Sequence, residues 1–187
     1  MHNLKLPKFY HFIDNLNIEN IESLNKDIAL IYRNYKTDID IDKLKLFKDY
    51  CKKTKRIFLL SNYLDLAFKL SLNGVYLPSF NKNFILKKYI SIKKFIIIGS
   101  AHSLSEIKIK ENQKVLQIFL SPIFKKTNKN SCLGISNFNQ ICKKTKKPII
   151  ALGGINKFNI KKLKMTKAVG FAGINYFKNL NNETKSK

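Results

Sequence analysis

Two glycine-bearing segments near the C-terminus carry residues that could bind a phosphate group. The apolar run "PIIALGG" ends at Gly153 and Gly154, and the run "VGFAGIN" ends at Gly173, Ile174 and Asn175. Glycine weakens a strand and is used where another backbone or a ligand must come close. Backbone N–H groups at a strand end that leads into a helix can bind phosphate. These segments predict a phosphate site, and the alternative is a pair of purely structural turns.

Arg33 stands out in a chain whose cations are almost all lysine. Only Arg33 and Arg56 are arginines among the 36 basic residues. An arginine at the end of the apolar run "IALIYR" offers a planar fork that makes two parallel hydrogen bonds to an anion, which lysine cannot do. The two interpretations are a bidentate ligand for a bound anion and a salt bridge to a neighbouring carboxylate.

Three further polar residues follow apolar runs and are candidates for chemistry. Lys129 lies in the loop "SPIFKKTNKNSCLG", where a flexible cationic lid would suit a pyrophosphate group, although a solvated lysine would look the same. Ser100 and His102 come at the end of "FIIIGSA". For His102, a place at a helix start or in the core is as compatible with the sequence as a catalytic role.

Eight short apolar runs, almost evenly spaced, would position these residues. They are rich in Ile, Val, Phe and Tyr and do not alternate strictly with polar residues, which is typical of strands buried on both faces. The runs span residues 9–14, 28–33, 57–61, 74–79, 95–101, 115–123, 148–154 and 169–175.

Segments with helical spacing lie between the runs. Single helix faces are predicted for two apolar sets, Leu44, Phe47 and Cys51 in the first helix, and Leu64, Ala67, Phe68 and Leu72 in the second. Candidate helix N-caps are Ser103, with Glu106 at capping-box spacing, Ser136 and Asn156.

The alternation of strand and helix predicts an α/β fold, a minimal (β/α)₈ TIM barrel over residues 1–187 as a single domain. Such barrels usually have about 250 residues. The last helix is therefore expected to be short or absent. An open α/β sheet with fewer strands is the alternative. In a barrel, ligands bind at the C-terminal ends of the strands, where all the candidate residues fall.

The composition is that of a globular chain with a strongly basic surface. The formal net charge is +24, and 44% of the residues are hydrophobic. The lysines occur in every predicted helix and form no single stripe with interleaved aromatic residues, which argues against a specific nucleic-acid partner. Small anionic substrates such as phosphate and pyrophosphate esters would be attracted to such a surface.

The cysteines and the hydropathy indicate the cellular compartment in which we expect the protein. Cys51, Cys132 and Cys142 are odd in number and lack C-x-x-C spacing, so neither a disulfide framework nor a zinc site is predicted. No apolar run reaches the ~20 residues of a membrane span. We expect a cytoplasmic protein without membrane contact.

Six segments, taken in order, resemble the family of thiamine phosphate synthase and its thiazole-tautomerase relatives, the TenI-type proteins. They are "IALIYRNY", "NYLDLAFKLSLNGVYLPS", "IIIGSAHSLSEI", "SPIFKKTNK", "PIIALGGI" and "VGFAGI", and the resemblance covers roughly residues 9–176. It implies thiamine biosynthesis, in which hydroxymethylpyrimidine pyrophosphate is coupled to thiazole phosphate and pyrophosphate is released.

The resemblance also implies roles for the candidate residues. Arg33 matches the arginine that holds the pyrophosphate, Ser100 matches the serine near the reacting carbon, and Lys129 matches the lysine that neutralises the leaving group. The cradle for the thiazole phosphate falls on Gly154 and on the backbone of Ile174 and Asn175.

The chain departs from the family pattern at the metal. The resemblance implies Mg²⁺ as the cofactor, held by two aspartates after strands three and four, but these positions are Asn62 and Asn81. Neutral amides are poor ligands for a hard cation compared with carboxylates. The family's strand-two Gln, Arg and Lys fall on Ile31, Arg33 and Tyr35.

Two alternatives to a divergent synthase follow from these departures. "GVYLPS" and "SAHSLSE" look closer to the tautomerase branch, which needs no metal, although its histidine after strand six falls on Pro122. The second alternative is a catalytically inactive barrel that binds phosphate esters.

Overall fold

The computed structural model describes residues 5–85, 87–92, 94–125 and 131–178, and contains eight parallel strands. Each strand pairs with the next in the chain, and β8 pairs with β1, so the sheet closes into a barrel. The (β/α)₈ prediction is confirmed, and the open sheet is excluded. The strands are β1 Phe9–Ile13, β2 Ile28–Tyr32, β3 Phe58–Ser61, β4 Gly74–Leu77, β5 Ile96–Ala101, β6 Ile118–Leu120, β7 Ile149–Leu152 and β8 Gly170–Gly173.

The helices between the strands are uneven in length. They are α1 Ile41–Lys53, α2 Leu64–Lys69, α3 Lys87–Ile90, α4 Leu104–Asn112 and α5 Gly134–Cys142. The expected helices after β1 and β7 are instead 3-10 helices, Ile18–Asn20 and Ile160–Met165. After β8 a helical turn covers 175–178, which agrees with a short last helix.

The predicted caps have three different outcomes. Ser103 is the N-cap of α4, because its hydroxyl accepts a hydrogen bond from the Glu106 N–H at 3.3 Å. Ser136 is wrong as a cap, since α5 already begins at Gly134. Asn156 caps no α-helix, and its side chain instead accepts from the N–H of Phe158 in a local turn.

Side chains that point into the barrel form the inner core and close its lower end. Phe12 and Tyr76 pack edge to face with their ring centroids 5.1 Å apart, and Tyr10 packs on Phe119 at 4.8 Å. Below them the Tyr10 hydroxyl donates to the Gln117 side chain. Inward-facing residues are Tyr10, Phe12, Ala29, Ile31, Leu59, Tyr76, Ile96, Ile98, Phe119, Ile150 and Ala172.

The outer core lies between the strands and the helices. Leu44, Phe47 and Cys51 are buried on one face of α1, as their spacing predicts. In α2, Ala67 is buried but Phe68 stays 43% exposed, so the second predicted face is only partly correct. No helix in the described part of the chain is long and apolar enough to cross a membrane.

Candidate active site

The inward-facing rows continue upwards into polar side chains at the C-terminal mouth of the barrel. Because neighbours in a strand point to opposite faces, Arg33 continues the row of Ile31, and Ser100 continues the row of Ile98. By the same alternation Ser61 and Ser121 follow Leu59 and Phe119, and both serines are buried. The mouth is thus lined by one guanidinium and three hydroxyl groups, listed here as Arg33, Ser61, Ser100 and Ser121.

Arg33 sits directly above the inner core. Its guanidinium carbon lies 4.9 Å from the centroid of the Phe12 ring, and its backbone N–H donates to Ile13 O at 2.8 Å. Among the described residues no carboxylate comes within 4.0 Å of the guanidinium. Of the two interpretations of this arginine, the described geometry favours the one in which its N–H donors are available to an anion.

Two serine–tyrosine pairs lie beside Arg33, Ser100 with Tyr76 and Ser61 with Tyr35. Burial raises the pKa of Tyr76 to about 12, and a hydrogen bond with Ser100 opposes that rise. The Tyr35 hydroxyl is bonded to the Ser61 hydroxyl at 2.6 Å, and burial raises the pKa of Tyr35 as well. These phenols stay protonated at neutral pH and therefore act as hydrogen-bond groups rather than bases.

The two glycines after β7 both have left-handed backbone, and Gly154 has a packing reason as well. A Cβ on Gly154 would lie 2.4 Å from Phe124 O, and the residue has a φ of 71° that side chains disfavour. The close approach predicted here is thus made by backbone, namely the loop after β6. Gly153 also has positive φ, at 94°.

Backbone donors are nevertheless exposed at this edge of the mouth. Gly154 and Ile174 are both half-buried. Within the described part of the chain, no acceptor is bonded to the N–H of either residue. A Cβ on Gly173 would press on the Tyr176 and Phe177 side chains at 3.1–3.3 Å, so this glycine lets the turn after β8 pack closely.

Asn62 and Asn81 meet at the ends of β3 and β4. The Asn81 amide donates to Asn62 Oδ1 at 2.7 Å. The Lys110 ammonium, fully buried on α4, donates to Asn81 O at 2.7 Å and to Pro78 O at 2.8 Å. Desolvation by burial lowers the pKa of Lys110 to about 8.

These residues do not fit Mg²⁺. The side-chain oxygens of both amides already accept hydrogen bonds. Asn83 N–H donates to Asn81 Oδ1 at 3.1 Å, and the Asn81 NH₂ group donates to Asn62 Oδ1. The Lys110 cation beneath them would also repel a divalent cation. Among the described residues no three His, Cys, Asp or Glu side chains are grouped to hold a metal.

His102 is held at the start of α4. Its backbone N–H donates to Glu106 Oε2 at 2.7 Å, and its Nδ1 lies 2.8 Å from Ser121 O and 3.1 Å from the Ser121 hydroxyl. The ring donates to the carbonyl and so ties β5 to β6. The helix-start interpretation of His102 accounts for these contacts.

Two lysines near this site differ in how clearly the sequence signals them. Lys110 was missed, although it falls three residues after buried Ile107 on α4, and a lysine at an inward helical position is the signal that could have found it. Lys129 was predicted, but it lies outside the described residues.

Comparisons with known proteins identify relatives of the chain. The family model described as thiamine monophosphate synthase matches residues 26–177. An Aquifex aeolicus protein named "Putative thiamine-phosphate synthase 2" is 30% identical over 185 residues, covering 93% of this chain and 99% of that protein. A Prochlorococcus marinus thiamine-phosphate synthase is 36% identical over 126 residues, covering 66% of this chain and 36% of that longer protein.

A solved structure agrees with the fold. The thiamine phosphate pyrophosphorylase from Pyrococcus furiosus matches with a TM-score of 0.75 and 19% sequence identity, covering 96% of this chain and 95% of that one. At this level of identity the likeness shows a shared barrel architecture.

Proposed function

Because the chain belongs to the thiamine monophosphate synthase family, we propose that it is a divergent thiamine phosphate synthase. It couples hydroxymethylpyrimidine pyrophosphate with thiazole phosphate, and pyrophosphate leaves with the electron pair of the broken C–O bond. We propose that residues 1–187 form a single domain that carries this function.

The observation that carries the proposal is the placement of Arg33. Its guanidinium lies at the inner mouth, over Phe12, and is not engaged by any described carboxylate. A planar fork in a partly buried site binds pyrophosphate with two charge-assisted hydrogen bonds and stabilises the charge that develops as the leaving group departs.

The other candidates are assigned around Arg33. Ser100, which bonds to Tyr76, orients the pyrimidine, and Lys129 neutralises the departing pyrophosphate. The N–H groups of Gly154 and Ile174 bind the thiazole phosphate. That cradle is completed by Gly153, Gly173 and Asn175. Since Asn62 and Asn81 do not fit Mg²⁺, no step is assigned to a metal.

The test is a coupling assay with the purified protein, the pyrimidine pyrophosphate and thiazole phosphate, with thiamine phosphate as the readout. Arg33→Gln should lower kcat/KM by about 100-fold, the size found when one preorganised charge-stabilising group is removed. The exposed neighbour Lys36 provides the matched control, since Lys36→Gln removes one charge from a solvent-exposed side chain. Absence of thiamine phosphate from a wild-type protein that binds thiazole phosphate would reject the synthase.

A second candidate function is favoured by the Asn62–Asn81 hydrogen bond. An amide pair in place of two carboxylates suits a reaction that needs no metal, and the TenI-like thiazole tautomerases catalyse one. Isomerisation of a thiazole phosphate tautomer in the same tubes, without coupling, would select this function. Binding without either reaction would select an inactive phosphate-ester binder.

A further inference from the structure

Side chains at the ends of β3 and β4 are linked by hydrogen bonds, and the atoms involved fix which group donates in each bond. A backbone N–H can only donate, so the Asn81 atom that faces Asn83 N–H at 3.1 Å is the oxygen Oδ1. The Asn81 amide nitrogen must then face Asn62, at 2.7 Å. The Asn62 atom in that contact is therefore its oxygen, and its own NH₂ group points away from Asn81.

The anchor of this chain of contacts is Lys110. Its ammonium gives hydrogen bonds to Pro78 O at 2.8 Å, Asn81 O at 2.7 Å and Gln113 Oε1 at 2.9 Å. Gln113 in turn donates to Asn83 O at 2.7 Å. The loop after β4 is thus held from below by a buried cation, which places positive charge under the amide pair.

Asn62 and Asn81 both line an open cleft of about 500 Å³. Asn62 is half-buried, and no acceptor in the described part of the chain is bonded to its amide nitrogen. The one described carboxylate that lines this cleft, Asp65, already accepts from the Tyr89 hydroxyl. Lys69 lines the same cleft and balances the charge of Asp65.

We propose that this cleft is a metal-independent anion subsite, in which Lys110 and Gln113 position Asn81, Asn81 orients Asn62, and the Asn62 NH₂ group donates to a phosphate oxygen. The ligand class is a pyrophosphate or phosphate ester. Two carboxylates at these positions would repel such an anion unless a cation lay between them. The neutral amides donate to it directly, and the charge under them comes from the chain itself.

This inference rests on the proposed function, since the subsite would hold the pyrophosphate end of that substrate. The experiment is calorimetric titration with inorganic pyrophosphate, once with excess EDTA and once with millimolar Mg²⁺. Wild-type protein should bind pyrophosphate in EDTA without any need for Mg²⁺, because no contact to the anion runs through the metal. A requirement for Mg²⁺ would overturn the inference and leave the synthase proposal intact.

The decisive variant is Asn62→Asp, which keeps the shape and the acceptor oxygen but replaces the donor by an anionic oxygen. In EDTA it should bind pyrophosphate about tenfold more weakly, the loss expected for one hydrogen bond to a charged group. Equal affinity of Asn62→Asp and wild type in EDTA would overturn the inference.

Lys110→Met tests the anchor, with Lys108→Met as the matched control. Lys108 lies on the same helix, is 65% exposed and pairs with Glu111, so its loss removes the same charge without touching the loop. Lys110→Met should weaken pyrophosphate binding about tenfold and Lys108→Met less than twofold. Equal effects of the two substitutions would show that Lys110 acts only through its charge, and would overturn its positioning role.

The inference and the synthase proposal fail separately. Mg²⁺-free pyrophosphate binding without any thiamine phosphate in the coupling assay would overturn only the synthase. Absence of pyrophosphate binding under both conditions would overturn the subsite.

Discussion

The imidazole of His11 on β1 donates to the carbonyl oxygen of Gly173 at the end of β8, with Nδ1 3.1 Å from the oxygen. This contact joins the first and last strands where the barrel closes. His11 is only 2% exposed and packs against the Phe177 ring. Since the peptide bond is trans, the Ile174 N–H that follows points away from β1, towards the side of β7 and Gly154.

His11 should make the fold sensitive to acid. Burial lowers its pKa from the ordinary 6.5, so just below that pH the unfolded chain binds a proton that the folded chain does not. The free energy of unfolding should therefore fall as the pH falls below about 6.5. Denaturant titrations should show a smaller acid loss in His11→Gln than in wild type. An unchanged acid slope in His11→Gln would contradict the prediction.

Lys110 should make the fold more stable in mild alkali. Its pKa is lowered from 10.5 to about 8, so between these values the unfolded chain holds a proton that the folded chain has released. The free energy of unfolding should accordingly rise with pH through this window. The rise should be present in Lys108→Met, which keeps Lys110, and missing in Lys110→Met. Parallel curves for the two variants from pH 8 upwards would show that Lys110 does not titrate in this way.

Substitution of Arg56 should lower stability, whereas substitution of Arg33 should weaken anion binding. Arg56 is 3% exposed and donates to Leu24 O at 2.7 Å and Asn25 O at 2.8 Å, so Arg56→Lys leaves buried carbonyls unpaired. We expect it to lower the free energy of unfolding by about 1–3 kcal/mol. Arg33→Lys should change stability by less than about 0.5 kcal/mol but weaken pyrophosphate binding about tenfold. Chemical denaturation and calorimetry on both variants provide the measurement, and a reversed pattern would refute the assignment.

Gly99 and Lys110 should be energetically coupled. A Cβ on Gly99 would lie 2.8 Å from Lys110 Cδ and 3.2 Å from Leu77 O. Gly99→Ala should therefore destabilise the wild type by about 1–3 kcal/mol, because the lysine chain has to move. In a Lys110→Ala background the cost should shrink by about 1 kcal/mol, and a double-mutant cycle from denaturant unfolding measures the difference. Strict additivity would mean that Lys110 does not lie over β5.

Much of the barrel could be predicted because strand signals are local. The apolar runs at 9–14 and 28–33 became β1 and β2 almost residue for residue. The helical elements were less predictable. Ile160–Met165 carries a helical sequence pattern but forms a 3-10 helix, since Asn159 and Asn156 turn the chain before it. Local propensity is weak where a short connection must fit between two paired strands.

Arg33, Ser100 and the glycine turns could be placed at one edge of the barrel from sequence, because each follows a buried strand and parallel strands bring their C-terminal ends to one edge. What only the tertiary structure decided is how distant side chains share that edge. Lys110 meets Asn81 from a helix 29 residues away, and Gly154 is a glycine because the loop at Phe124 crosses it. Such contacts depend on barrel closure and on the path of each loop. The local spacing of apolar residues in the sequence does not determine either. The sequence by itself therefore determined the strands and the edge at which the candidate residues gather, and the folded structure decided which groups at that edge are anchored or paired.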